Sequence, residues 1–124
     1  MSDSKIRLLL VEDDRDHGEV MKLVFESENF EVSWAENGLE GLALAEQNPP
    51  AVIVCDYMMP KMNGQEFIVE IKKKDNLKDV PIAVLTAITN DTAEEALRTA
   101  GANAFISKTA ERKKILETVK SLLN

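Results

Sequence analysis

The run AVIVCDYMMPKMNG, Ala51 to Gly64, decides the fold. It opens on five apolar residues, Ala51-Val52-Ile53-Val54-Cys55, among them the β-branched side chains that favour strands. No polar residue alternates with them, so both faces of the strand should be covered, as in a parallel sheet. Asp56 follows at once, Met58-Met59-Pro60 breaks the strand, and Gly64 closes the loop. A carboxylate therefore sits at the carboxyl end of a buried strand, the edge at which open α/β sheets gather ligands and chemistry.

The same alternation extends both ways along the chain. Ile6 to Val11 is an apolar run of strand length that stops at Glu12-Asp13-Asp14, with Asp14 placed to cap a helix after it. Val20, Met21, Val24 and Phe25 recur at helical spacing and predict that helix from about Arg15 to Glu28. Gly18 weakens its first turn by about 1 kcal/mol relative to alanine. Phe30 to Trp34 alternates as a second strand, with Trp34 partly buried, and Asn37-Gly38 marks a turn. Leu39, Leu42, Ala43 and Glu46 carry a helix to about Gln47, where Pro49-Pro50 stops it.

Beyond Gly64, Phe67, Ile68 and Ile71 mark a third helix. It runs out in Lys72-Lys73-Lys74, read as a solvated end whose cations suit the negative pole of the helix. Pro81 to Leu85 is a fourth strand, ending at Thr86. Asp91 is expected to cap a helix carrying Ala93, Ala96, Leu97 and Ala100, which Gly101 ends. Ala104 to Ser107 is a fifth strand, followed by Lys108, and Ile115, Leu116, Val119 and Leu122 place a last helix from about Ala110 to Leu123. His17, the one histidine, is assigned no role. Five βα units in series imply right-handed crossovers and a parallel, doubly wound α/β sheet with helices on both faces.

Composition narrows the function classes. The 124 residues make one domain, 1–124, with 44% hydrophobic residues to build its core. The net charge of -7 disfavours nucleic acid and anionic membrane surfaces as partners. No stretch approaches the roughly 18 apolar residues of a membrane span, and no secretory signal is visible, so a cytoplasmic protein is expected. Cys55 lies inside the apolar run and reads as a small buried hydrophobe.

In a parallel sheet every strand ends on one edge. The residues that converge there are Glu12 and Asp13, Asp56, Thr86, and Lys108. Crowded carboxylates repel unless a proton or a cation intervenes. Hard oxygen donors suit Mg²⁺, and a lysine with a hydroxyl suits phosphoryl oxygens. The set is that of an anion bridging a divalent metal and a lysine, with a carboxylate as nucleophile.

These residues carry a resemblance. Val11-Glu12-Asp13-Asp14, the run Asp56-x-x-Met59-Pro60-x-Met62-x-Gly64, Leu85-Thr86-Ala87 and Phe105-x-x-Lys108 occur in the order and at the separations of receiver domains of two-component response regulators. The sequence resembles the single-domain, chemotaxis-type members over nearly its whole length. The resemblance implies a flavodoxin-like (βα)5 fold with strand order 2-1-3-4-5. It implies Asp56 as phosphoacceptor, and Mg²⁺ bound by Asp13 and Asp56 directly, by Glu12 through water and by the backbone carbonyl of Met58. Lys108 would pair with the acyl phosphate. Thr86 would move to a phosphoryl oxygen, and Phe105 would turn inward behind it, a switch driven by a local charge change.

The implied partners are a sensor histidine kinase or histidine phosphotransfer protein and a downstream protein target. A monomer is expected, with output by protein contact or onward phosphotransfer because no output domain accompanies the receiver. It would be no enzyme beyond catalysing its own phosphotransfer. Met58 and Ile88 would flank the water approach to the phosphorus with apolar bulk, so self-dephosphorylation should be slow.

Thr109 departs from the family, which usually carries proline there after a cis bond. A cis bond before a non-proline costs about 3 kcal/mol, which makes trans the cheaper state here. The rival reading is a Mg²⁺-dependent phosphohydrolase with an aspartyl nucleophile. Such enzymes usually place a second aspartate two residues on, where this chain has Met58.

Overall fold

The computed structural model describes residues 5–87 and 91–123. Among them five strands alternate with five helices: β1 Ile6–Val11, α1 Arg15–Glu26, β2 Phe30–Ala35, α2 Gly38–Gln47, β3 Val52–Asp56, α3 Gly64–Lys72, β4 Ile82–Thr86, α4 Asp91–Ala100, β5 Ala104–Ser107 and α5 Arg112–Ser121. The strands form one parallel sheet in the order β2-β1-β3-β4-β5.

Two apolar layers sandwich that sheet, and strand alternation sorts the residues between them. Leu8 and Leu10 of β1, with Val52 and Val54 of β3, pack with Met21 and Phe25 of α1 and Ile115, Leu116 and Val119 of α5. Leu9, Val11, Ile53 and Cys55 face the other way, against Ala45, Phe67, Ile68, Ile71 and Leu97 from α2, α3 and α4. All five residues of β3 are buried, as the unbroken apolar run requires.

Element ends differ from the sequence reading where local hydrogen bonds intervene. The first helix stops at Glu26, because Ser27 turns its hydroxyl onto the Val24 carbonyl at 2.6 Å and Asn29 takes a left-handed φ of 68°. Asp91 is the first residue of α4 rather than its cap. The last helix starts later, at Arg112, since the Ala110 N–H closes a turn onto the Ser107 carbonyl at 3.0 Å.

Lys72 is not a solvated cation. Its ammonium donates to the carbonyls of Lys78 and Val80 at 2.9 and 3.1 Å, tying the end of α3 to the approach of β4. Its stem also lies against Gly101, whose φ of +128° and close quarters leave no room for a side chain.

Candidate functional site

Four strand ends build the site. Glu12 extends β1 by one residue, its N–H donating to the Ala35 carbonyl at 2.9 Å, and it is wholly buried. Asp13 is exposed beside it. Asp14 caps α1, its carboxylate accepting the His17 N–H at 3.1 Å. Asp56 ends β3 at 2% exposure and Thr86 ends β4 at 4%. Lys108 follows β5, its backbone N–H held by the Thr86 carbonyl at 3.1 Å.

The loop after Asp56 folds back tightly. Gly64 donates its N–H to the Tyr57 carbonyl at 2.8 Å. A Cβ on Gly64 would stand 2.8 Å from the Asp56 carbonyl, so glycine is required by close approach. Asn63 and Glu66 then form a reciprocal capping box at the start of α3. The N-x-x-E spacing carried that signal in the sequence.

The charged groups meet. Lys108 Nζ lies 2.7 Å from Asp56 Oδ2 and 3.8 Å from Glu12 Oε1. One carboxylate oxygen from each of Glu12, Asp13 and Asp56 falls within 4.8 Å of the others. Burial raises the Glu12 pKa, and the neighbouring Asp56 carboxyl adds to the rise against the opposing pull of His17 and the Asp14 N–H. For Lys108 burial works against the charged form. The hydrogen bond to Asp56 and the negative charges of Asp56, Glu12 and Asp13 outweigh it, so its pKa is raised and the ammonium keeps its proton. Burial pushes the Cys55 thiol well up, which leaves it inert as a nucleophile.

These oxygens are the hard donors that Mg²⁺ selects, and they are close enough to converge on one ion. Met58, also assigned to the metal through its backbone, carries an exposed side chain at 66%. Phe105 is half-buried, with the Arg98 guanidinium 4.7 Å from its ring centroid. Ile88 lies outside the described residues. The Lys108–Thr109 bond is trans; Thr109 uses the N–H that a proline would lack, donating to Ser107 Oγ at 3.2 Å.

Sequence reasoning missed His17. Its Nδ1 lies 2.6 Å from Glu12 Oε1. Helical side chains tilt toward the N-terminus, so a residue three past the cap leans back over the strand end; that was the available signal. Trp34 was expected only to pack. Its indole N–H donates to the Glu12 carbonyl at 2.9 Å, and its ring covers Gly18.

Comparison with known proteins agrees with this geometry. A family model of the response regulator receiver domain matches residues 8–120. The polar-differentiation response regulator DivK of Brucella anthropi is 32% identical over 116 residues, 94% of each chain. The structure of the Vibrio cholerae chemotaxis protein CheY4 superposes with a TM-score of 0.93 at 27% identity, over 96% of this chain and 99% of that one. The receiver domain of the sensor histidine kinase PA1611 from Pseudomonas aeruginosa PAO1 gives 0.89 at 25% identity, over 96% and 98%, and holds a magnesium ion coordinated in its active site cleft. With the strand order, the buried acidic pair and the lysine on one sheet edge, the chain belongs to the response regulator receiver domain family.

Proposed function

We propose that Asp56 is the residue through which this phosphorylation-switched regulator receives its signal. An Asp56 carboxylate oxygen attacks the phosphorus of a phosphohistidine on a sensor kinase or phosphotransfer protein. The P–O bond forms as the P–N bond breaks, and the departing imidazole nitrogen keeps the electron pair. The observation that carries this is the Lys108 ammonium 2.7 Å from Asp56 Oδ2, with Glu12 and Asp13 oxygens clustered beside it.

Glu12, Asp13, Asp56 and the Met58 carbonyl would hold Mg²⁺, which supplies positive charge to the phosphoryl oxygens. Lys108 passes from the free carboxylate to the acyl phosphate, and the buried Thr86 hydroxyl hydrogen-bonds a phosphoryl oxygen. Phe105, on the strand beside Thr86, transmits the change to the face of α4, β5 and α5, which meets a downstream protein. The protein is then a cytoplasmic switch that turns over no separate substrate.

The test is intact mass after incubation with Mg²⁺ and acetyl phosphate. A gain of one phosphoryl group, abolished in Asp56→Asn, is expected. Rapid consumption of the donor without accumulation would favour a hydrolase instead.

A further inference from the structure

We infer that His17 is a positioning residue of the metal site, holding the buried Glu12 carboxylate in the orientation that faces Asp13 and Asp56. This rests on the Mg²⁺ site proposed above. Glu12 is wholly buried, so its oxygens depend on protein donors. Oε2 accepts the Asp14 N–H at 3.2 Å, and Oε1 lies 2.6 Å from His17 Nδ1. Lys108 Nζ stands 3.8 Å from the same oxygen, and the Asp56 carboxyl neighbours the Glu12 carboxyl. With the imidazole removed, that oxygen loses its 2.6 Å partner and is free to close on Lys108, giving up its fixed orientation and drawing the ammonium off Asp56. His17 thus keeps two contacts apart: Glu12 with the metal site, and Lys108 with Asp56. The placement is built in from both sides, since Asp14 fixes the His17 backbone and Trp34 fixes the Glu12 carbonyl.

The test titrates Mg²⁺ into wild type, His17→Leu, His17→Ala and His17→Asn at about pH 8, above the ordinary imidazole range. Trp34, the chain's one tryptophan, reports through its emission, because its N–H is bonded to Glu12. The Mg²⁺-dependent rise in thermal midpoint is an independent readout. Losing an outer hydrogen bond to a metal ligand should weaken Mg²⁺ binding by about tenfold or more in the Leu and Ala variants. Asparagine, whose amide nitrogen can stand where Nδ1 stood, should recover affinity to within about twofold of wild type. Equal affinity in Leu, Ala and wild type overturns the inference, as does an Asn variant no better than Leu. Absence of Mg²⁺ binding in the wild type itself overturns the metal site, and this inference with it.

Discussion

Lys108 Nζ and Asp56 Oδ2 are 2.7 Å apart although 52 positions separate the two residues in the chain. Parallel pairing makes the contact possible: Asp56 ends β3, Ser107 ends β5, and β4 lies between them. The ammonium is the one basic group placed against Asp56 among the described residues, and it balances part of the charge of three carboxylates.

Lys108→Ala should therefore tighten Mg²⁺ binding rather than leave it unchanged, since the variant removes a cation that competes for the same oxygens. A gain of about three- to tenfold corresponds to roughly 1 kcal/mol, modest because Lys108 is part-exposed and screened. The same variant should lose the link between phosphorylation and the surface. Calorimetric Mg²⁺ titration checks the first effect, and chemical shifts on α5 before and after beryllofluoride check the second. A full wild-type response to beryllofluoride would make Lys108 only a local counter-ion.

Glu12 gives the metal-free protein a definite pH dependence. Burial, with Asp56 beside it, holds its folded pKa above the ordinary value of 4.5. The folded state thus keeps this proton longer than the unfolded chain does. The Glu12 contribution to stability falls as pH rises from about the unfolded pKa through the raised folded one. Glu12→Gln should be closest to wild type in acid and gain on it toward neutral pH when both are melted in chelator. Mg²⁺ would bind with Glu12 in its carboxylate form, so its stabilising effect on wild type should shrink as pH drops through that window. A stability difference between the two proteins that is flat with pH would remove Glu12 as the cause.

Gly18 separates what propensity predicts from what the fold demands. Alanine gains about 1 kcal/mol over glycine within a helix. Here its Cβ would lie 2.1 Å from Cζ2 of Trp34, whose ring is anchored through the Glu12 carbonyl. Overpacking of that kind costs about 1–3 kcal/mol, so Gly18→Ala should be net destabilising. Urea unfolding measures the balance, and an unchanged or higher midpoint would mean that the indole swings aside freely.

Much of the fold and of the site was legible in the sequence. The unbroken apolar run to Cys55 and the acids after Val11 located strands and their shared edge, because strand burial and parallel pairing leave local marks. Asp56 and Lys108 were placed together by topology. The indole of Trp34 over Gly18 and the Lys72 ammonium on two carbonyls left no such mark, and the contact of His17 with Glu12 left only its spacing from the helix cap. Each depends on a side-chain direction set by packing between elements, and hydrophobic periodicity is silent on polar side chains.

Met58 is expected to lengthen the lifetime of the phosphorylated state. Hydrolysis of an aspartyl phosphate needs water in line with the phosphorus, opposite the carboxylate oxygen that carries it, here proposed to be that of Asp56, and a flanking polar group that orients the water supplies much of the rate. Met58 stands two residues past Asp56, exposed at 66%, and its thioether is a poor hydrogen-bonding partner. Met58→Asn puts an amide at that position without touching the carboxylates, Lys108 or Thr86. Decay should quicken by about threefold or more, roughly 0.6 kcal/mol off the barrier. Because Met58 would meet the metal through its backbone, Mg²⁺ affinity should stay the same. Phosphoprotein is followed after the donor is removed, at saturating Mg²⁺. Decay no faster than wild type would show that a side chain other than Met58 governs access of water to the phosphorus.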